Sequence, residues 1–248
     1  MFFSGCGLRC CFCQNHDIAM GSRGRAVSVE RLGEIFLELK EKGAANINLV
    51  TGAHYVPQII EALDMARRKG LDIPVVYNSS GYEKTETLKL LEGYVDIYLP
   101  DLKYLDPELA QKFSYAPDYV QAAKAAIREM VRQTGKCEFG EDGYIRKVTI
   151  VRHLILPGHT GNSIKALRYL HETYGEDIYI SIMNQYTPVR KFVEFKELNR
   201  KVTKREYEKV LDAAVDMWIQ NGFIQEGETA SESFIPDFDY EGVEKNTP

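Results

Sequence analysis

The stretch Ser4-Gly5-Cys6-Gly7-Leu8-Arg9-Cys10-Cys11-Phe12-Cys13-Gln14-Asn15 contains four of the five cysteines in the chain. Cys6, Cys10 and Cys13 follow the spacing C-x3-C-x2-C, and the aromatic residue Phe12 directly precedes the last of them. Three thiolates on one loop can each bind one iron of a [4Fe–4S] cube, whereas four thiolates are the usual complement. The spacing therefore predicts a cluster with one iron open to a small molecule, which indicates catalysis rather than electron storage alone.

Two other arrangements of the cysteines compete with this cluster. A structural zinc site usually has four ligands, often as two C-x2-C pairs, and only Cys137 and the five histidines remain to supply a fourth. A disulfide framework is typical of short secreted chains, whereas this chain has 248 residues and we expect no signal peptide. The cluster is the favoured interpretation, with Cys11 as a neighbour that is not a ligand and Cys137 as an ordinary thiol.

Composition restricts the class of protein. The chain is 44% hydrophobic, enough for a substantial core, and its 248 residues allow one large domain. Its net charge of −5, with both signs interspersed, argues against a nucleic-acid binder, which usually carries a basic patch. We expect no membrane partner, because no apolar run is long enough to span a bilayer. We expect a cytoplasmic location, because cysteines reserved for a cluster suit a reducing compartment.

Strand-like and helix-like segments alternate about six times along the chain. This alternation favours a parallel sheet with right-handed crossovers, and a closed eight-fold barrel needs more units. The pattern predicts an α/β fold, an open, partial (β/α)6 TIM-like barrel. Strands are predicted at 46–51, 74–78, 95–99, 147–156 and 178–183, and helices at 29–42, 56–69, 84–92, 107–113, 119–133, 162–174 and 203–221.

The barrel is expected to span residues 1–226, followed by a polar C-terminal tail over 227–248. Met1-Phe2-Phe3 has the pattern of the last residues of a strand, so we expect the first strand to be truncated. The tail is acidic and polar with a few aromatic and aliphatic residues interspersed, which favours loose docking onto the barrel.

The cysteine stretch resembles the signature of the radical S-adenosylmethionine (radical SAM) enzymes. Within them it is similar to the branch related to the pyruvate formate-lyase activating enzyme, whose uncharacterised iron–sulfur homologues carry Ser-Gly-Cys-x-Leu-Arg-Cys-x-Phe-Cys-Gln-Asn. The resemblance covers the chain to about residue 226 and implies a partial barrel of the radical SAM type. It also implies a [4Fe–4S] cluster held by Cys6, Cys10 and Cys13, with S-adenosylmethionine as the second cofactor and Phe12 among the residues that bind it.

Polar residues follow the predicted strands. In parallel α/β folds, catalytic and ligand-binding residues lie at the carboxyl ends of the strands. By the resemblance, Thr51 and Gly52 lie where relatives have a Gly-Gly-Glu stretch that meets the amino group of S-adenosylmethionine. The glutamate is absent, and His54 is either a substrate-facing group or a polar residue that starts the next helix. Asn78 and Ser80 lie in a stretch similar to one near the bound nucleoside or methionine, with an ordinary turn as the alternative.

Three further positions carry the resemblance beyond the first half of the barrel. Asp101 and Lys103 match an Asp-x-Lys motif and point to the same face of a strand, which makes them candidate catalytic residues; a solvated ion pair is the alternative. Arg152 matches an arginine that binds the S-adenosylmethionine carboxylate, a role that suits a planar guanidinium. Tyr186 follows the sixth strand, where relatives have Pro-Tyr-His, and is a candidate cofactor-binding residue.

The resemblance implies a radical SAM enzyme. An external one-electron donor, of the flavodoxin or ferredoxin type, reduces the cluster, and S-adenosylmethionine is cleaved to methionine and a 5′-deoxyadenosyl radical that abstracts a hydrogen. The implied substrate is a glycine Cα in a partner protein, which would make the chain an activating enzyme for a glycyl-radical enzyme. An iron–sulfur electron-transfer protein without radical chemistry and a zinc-stabilised binding module are the alternatives.

Overall fold

A seven-stranded sheet carries the fold in the computed structural model, which describes residues 1–21, 23–225, 240 and 242–243. The order β1-β2-β3-β5-β6-β7 is parallel throughout, and β4 pairs antiparallel with the start of β5. The sheet is not closed, and the predicted partial TIM-like barrel is confirmed. The strands are β1 (Ile47–Val50), β2 (Val75–Ser79), β3 (Ile97–Pro100), β4 (Glu138–Phe139), β5 (Ile145–Leu154), β6 (Tyr179–Met183) and β7 (Gly222–Ile224).

Residues 1–3 extend the sheet beyond β1. Phe2 forms a parallel bridge with Val50. Phe3 N donates to Val50 O over 2.9 Å, and Val50 N donates to Met1 O over 2.8 Å. The strand pattern expected at Met1–Phe3 therefore appears as this short pairing, which leads directly into the cysteines at the carboxyl end of β1.

Amphipathic helices cover the outer face of the sheet. The side chain of Ser28 caps α2 by accepting a hydrogen bond from Arg31 N over 3.2 Å, and no capping box forms because Arg31 is basic. At α8 a capping box does form, between Thr203 and Glu206. The helices are α1 (His16–Ala19), α2 (Val29–Glu41), α3 (Val56–Arg68), α4 (Thr85–Lys89), α5 (Pro107–Ser114), α6 (Tyr119–Thr134), α7 (Thr160–Tyr174) and α8 (Lys204–Asp216).

The structure departs from the predicted elements near the C-terminal end of the sheet. The predicted helix over 203–221 ends at Asp216, because Trp218 adopts a positive φ of 58°. Gly222 begins β7 rather than ending a helix. Strands β4 and β7 contain two and three residues, too few to produce a periodic pattern. The predicted tail, 227–248, lies outside the described residues except at 240 and 242–243.

Two buried clusters hold the helices against the sheet. One contains residues of the cysteine stretch, α5, α7 and α8, and the other contains residues of α2, α3 and α4. Helix α6 joins them, since Ile127 lies in the first cluster and Met130 in the second. Full burial of such a side chain contributes about 1.5–3 kcal/mol, so α6 fixes the two halves of the barrel wall to each other. Within the described part of the chain, no helix is long and apolar enough to cross a membrane.

Candidate cofactor and active site

Residues 4–15, the cysteine loop, are anchored to the end of α5 by main-chain hydrogen bonds. Cys11 N donates to Phe113 O over 2.8 Å, and Arg9 N donates to Ser114 O over 3.4 Å. The last carbonyls of a helix have no partner inside the helix, so α5 satisfies them with amides of the loop. The loop therefore has a fixed position that depends on protein groups alone.

Apolar side chains within the cysteine loop fix it to the core. Leu8 and Phe12 are both buried. The ring of Phe12 meets that of Tyr186 edge-on, with centroids 6.0 Å apart. Tyr186 is itself buried, and its hydroxyl donates to Leu198 O over 2.8 Å. The structure thus joins Phe12 and Tyr186, the two predicted aromatic cofactor residues, in one buried contact.

The three thiols at the predicted spacing lie in partly buried positions. Burial raises the pKa of the Cys10 thiol, which Lys103 opposes, and it raises the pKa of Cys13 to about 11. Iron binds thiolates, so cluster formation releases protons from these buried thiols. No group of three or more His, Cys, Asp or Glu side chains in the described residues is arranged to hold a single metal ion.

The other two cysteines are free thiols. Burial raises the pKa of Cys11 to about 11, and its backbone amide is used to anchor the cysteine loop. Cys137 lies just before β4, at the amino end of the sheet and far along the chain from the loop. Burial also raises the pKa of the Cys137 thiol.

Four polar residues from the ends of β2, β3 and β5 form one connected group, the strand-end network. Asp101 Oδ2 lies 2.5 Å from Lys103 Nζ, and Asp101 Oδ1 lies 2.7 Å from Arg152 Nη2. Arg152 Nη2 also donates to Asn78 Oδ1 over 2.7 Å. Burial alone would raise the pKa of the Asp101 carboxyl, but Arg152 and Lys103 outweigh it and hold that pKa below its usual value. Burial likewise opposes the charge of Lys103, yet Asp101 raises the lysine pKa.

The strand-end network leaves one buried donor free. Arg152 Nε has no hydrogen-bond partner among the described residues. Buried polar groups are nearly always paired, so an unpaired guanidinium N–H at a strand end suits an anionic ligand. A carboxylate is the planar acceptor that a guanidinium binds best. Three thiols on one loop and this free donor together fit a [4Fe–4S] cluster and the carboxylate of S-adenosylmethionine.

The backbone after β1 is strained at the position predicted to meet the cofactor. Thr51 has a φ of 62°, which is rare for a β-branched residue, and its amide donates to Asn78 O over 2.9 Å. Close packing around residue 52 explains why it is a glycine. A Cβ at Gly52 would lie 2.8 Å from Ile59 Cδ1 and 3.3 Å from Tyr77 Cε2.

The turn after β2 touches the strand-end network directly. A Cβ at Gly81 would lie 2.2 Å from Asp101 O, and Gly81 has a φ of 77°, so only glycine fits there. Ser80 contributes its carbonyl, 3.0 Å from the hydroxyl of Tyr119. That hydroxyl also lies 2.8 Å from Asp101 O and accepts a hydrogen bond from Lys103 N over 2.9 Å. Tyr119 therefore links the ends of β2 and β3, a role that the helical pattern of α6 did not reveal.

Two further buried polar residues, His153 and Asn162, hold residues 101–105 in place. Neither was singled out from the sequence. His153 Nδ1 lies 2.6 Å from Leu102 O, and its Nε2 lies 2.9 Å from Ser163 Oγ. Because the carbonyl only accepts, Nδ1 carries the proton and Nε2 accepts from the serine. Asn162 Nδ2 donates to Lys103 O over 3.1 Å. A histidine inside the apolar strand sequence is the one signal that marks this arrangement.

His54 lies outside the strand-end network. It is exposed in a single 3₁₀ turn before α3, and a Cβ on Gly5 would meet its ring at 3.3 Å. His54 lines a cavity of about 500 Å³ together with Gly7 and Glu83. Burial raises the pKa of Glu83 to about 7, although its carboxylate accepts a hydrogen bond from Ser79 Oγ over 2.5 Å.

Solved structures share the fold. The crystal structure of Streptococcus suis SuiB bound to S-adenosylmethionine matches with a TM-score of 0.58 and 17% identity, over 95% of this chain and 49% of that chain. SuiB bound to the precursor peptide SuiA matches with a TM-score of 0.59 and 15% identity, over 92% of this chain and 48% of that chain. At this identity the likeness shows the fold alone.

Two curated sequences are also similar. An uncharacterised protein of Methanocaldococcus jannaschii is 27% identical over 221 residues, which cover 86% of this chain and 61% of that protein. The pyruvate formate-lyase-activating enzyme of Clostridium pasteurianum is 26% identical over 113 residues, 44% of this chain and 46% of that enzyme. The chain thus matches about half to three fifths of the length of these relatives.

A sequence profile of the radical SAM superfamily matches residues 1–170, which include the cysteine loop and the strand-end network. Membership implies a [4Fe–4S] cluster and S-adenosylmethionine as cofactors, and the thiols and the free guanidinium donor described above fit both. On this match, the chain belongs to the radical SAM superfamily.

Proposed function

We propose that this chain cleaves S-adenosylmethionine reductively at a cluster held by Cys6, Cys10 and Cys13, and that the radical so formed abstracts hydrogen from a protein or peptide. The observation that carries the proposal is the position of the cysteine loop beside the strand-end network. Ser114 Oγ donates to Cys10 Sγ over 3.0 Å and lies 2.8 Å from the hydroxyl of Tyr104, the residue next to Lys103, so the two parts belong to one site. When bound, the cluster and S-adenosylmethionine supply a 5′-deoxyadenosyl radical.

The side chains of this site bind and orient. Arg152 is proposed to receive the S-adenosylmethionine carboxylate through its free Nε, while Asp101 and Asn78 hold the guanidinium in place. Thr51, Gly52 and Ser80 are proposed to present backbone groups to the cofactor from the ends of β1 and β2. Phe12 and Tyr186 are proposed to line the cofactor site with their rings. Lys103 is proposed to face the substrate.

The substrate class is proposed from likeness. One similar protein is a pyruvate formate-lyase-activating enzyme, and SuiB has been crystallised with a precursor peptide. A glycine Cα in a partner glycyl-radical enzyme is the specific substrate we propose, and a flavodoxin or ferredoxin is the proposed one-electron donor. The site is polar and charged at its centre, which suits a peptide backbone better than an apolar metabolite.

Anaerobic reconstitution tests the cluster assignment. Cys6→Ala, Cys10→Ala and Cys13→Ala should each lose the cube, measured as iron and sulfide per chain, and should form no 5′-deoxyadenosine with dithionite. Cys11→Ala and Cys137→Ala are the matched controls and should retain both. A full cube in Cys10→Ala, or zinc without sulfide in the wild type, would show that the assignment is wrong.

Calorimetry tests the cofactor assignment. Loss of one charged hydrogen-bonding partner costs about 1.5–3 kcal/mol, so Arg152→Ala should weaken S-adenosylmethionine binding about 10- to 100-fold. Arg146→Ala is the matched control, because Arg146 lies on the same strand with an exposed side chain paired to Asp142. Equal affinity in the two variants would remove Arg152 from the cofactor site.

The ratio of 5′-deoxyadenosine to substrate radical tests the proposed substrate-facing lysine. Lys103→Met should leave uncoupled cleavage within about threefold of wild type, since the thiols and Arg152 remain, and should cut hydrogen abstraction at least tenfold, because small misplacements are costly for that step. Loss of cleavage itself in Lys103→Met would instead assign Lys103 to cofactor binding or to the fold.

A further inference from the structure

The three thiols predicted to bind the cluster, those of Cys6, Cys10 and Cys13, accept hydrogen bonds from two kinds of donor. Leu8 N donates to Cys6 Sγ over 3.5 Å, and the backbone of Asn15 is hydrogen-bonded to Cys13. Cys10 differs, because Ser114 Oγ donates to its sulfur over 3.0 Å from the last residue of α5. The donor to Cys10 is therefore a side chain, which can be removed without changing the loop.

The serine is itself part of a chain of two hydroxyl groups. Tyr104 OH lies 2.8 Å from Ser114 Oγ. The serine has one hydroxyl proton, and a thiolate at Cys10 can only accept, so that proton points to the sulfur. The tyrosine must then donate to the serine. The direction Tyr104 to Ser114 to Cys10 follows from proton counting, and each hydrogen bond polarises the next.

Solvent does not compete with this chain of hydroxyls. Ser114 is 1% exposed and Tyr104 is 0% exposed. Ser114 is also held at two points, because its carbonyl accepts a hydrogen bond from Arg9 N and its hydroxyl donates to Cys10 Sγ. If either hydroxyl were removed, bulk water would therefore not take its place as a hydrogen-bond donor.

We propose that Tyr104 and Ser114 are positioning residues that set the reduction potential of the cluster through the sulfur of Cys10. This rests on the proposed function, because it requires Cys10 to be a cluster ligand. Hydrogen bonds to cluster sulfurs stabilise the more negatively charged, reduced state, and are among the factors that set the potential of such clusters. The hydroxyl pair makes the cluster easier to reduce by a one-electron donor.

The test is a redox titration of the reconstituted protein, followed by the spectrum of the reduced cluster. Ser114→Ala should lower the equilibrium constant for one-electron reduction about three- to tenfold, which is about 30–60 mV for a one-electron couple. Tyr104→Phe should shift it in the same direction by less, because the serine still donates. Ser114→Thr keeps a hydroxyl and should restore the wild-type value.

A second buried hydroxyl pair provides the control. Thr134 Oγ1 lies 2.9 Å from Thr149 Oγ1, and both residues are buried between α6 and β5. Thr134→Val should leave the potential unchanged. If the reduction potential were unchanged in both Ser114→Ala and Tyr104→Phe while the cube remained intact, this proposal would be wrong. The proposed function would not be affected. A wild-type chain that assembles no cube would overturn both.

Discussion

At the scale of single residues, Thr51 combines a strained backbone with a place at the end of a strand. A non-glycine residue at positive φ costs about 1–2 kcal/mol, and β-branching adds to the clash. Its amide nevertheless holds Asn78 O, at the edge of the strand-end network. Strain of this kind persists where the surroundings impose it, and active sites are common among such places.

Thr51→Gly should therefore stabilise the protein. Relief of the strain should exceed the extra entropy of glycine in the unfolded chain, for a net gain of about 0.5–1 kcal/mol in the free energy of unfolding. Denaturant titration of the cluster-free protein measures this. Trp218→Gly, at a φ of 58° and far along the chain, should gain similarly; a loss of stability in Thr51→Gly alone would mean that the threonine side chain makes a needed contact.

Sequence reasoning could identify those site residues whose signal is local. The cysteine spacing marked the loop. Asp101 and Lys103 form the ion pair that their closeness in sequence allows, although β3 ends at Pro100 and Lys103 lies beyond the strand. Contacts between distant residues carry no such signal. Ser114 is separated from Cys10 by 104 residues, and Tyr119 has the appearance of an ordinary helix residue.

At the scale of elements, His153 joins β5 to the segment after β3 and to α7, and it should make stability depend on pH. Burial lowers its pKa from 6.5 to about 4, with Asp101 and Lys103 as the charged neighbours, acting in opposite directions. Between those values the unfolded chain binds more protons than the folded one, so stability is present above about pH 6.5 and falls with pH. The loss should be about 2 kcal/mol at pH 5 relative to pH 7.5.

Urea unfolding of wild type and His153→Gln at the two pH values tests this contribution. Carboxylates titrate in both proteins, so the difference between the two profiles isolates the histidine. The glutamine variant should lose less stability on acidification than wild type. Parallel profiles would mean that the pKa of His153 is nearly the same in the folded and the unfolded protein, and the predicted pH dependence would be wrong.

The start of α8 offers a second test at this scale. Thr203 Oγ1 accepts a hydrogen bond from Glu206 N over 3.2 Å, and the carboxylate of Glu206 accepts one from Gly158 N over 2.7 Å, so the cap also fixes the turn after β5. Thr203→Ala should cost about 1 kcal/mol in unfolding free energy, whereas Thr203→Ser should cost little. Equal losses in both variants would place the effect in packing of the threonine methyl.

The long elements were predictable because apolar periodicity is a property of the sequence itself. The predicted helices over 56–69 and 119–133 match α3 and α6 within one residue at each end. The end of α8 was not predictable, because it depends on how Trp218 and Gly222 fit beside β6. Whether segments as short as β4 and β7 form strands depends on the strands they pair with, and those strands lie elsewhere in the chain.

At the scale of the whole molecule, the fold should survive removal of the cluster. The cysteine loop is tied to α5 by main-chain hydrogen bonds, and Leu8 and Phe12 pack in the core, so none of its anchors needs iron. Chelation should leave the far-ultraviolet circular dichroism unchanged. Collapse of the helical signal on chelation would instead favour a metal-dependent fold, as in small zinc modules.

The anchoring of the cysteine loop to α5 also has a consequence for biosynthesis. Cys11 bonds to Phe113, so the thiols are synthesised about 100 residues before the helix that holds them. At roughly 5–20 residues per second, they wait about 5–20 s on the ribosome without that support. During this interval they are exposed to oxidants, which convert thiolates to sulfenic acids and disulfides. Delivery of iron and sulfide to an ordered loop is therefore a step that follows the synthesis of α5.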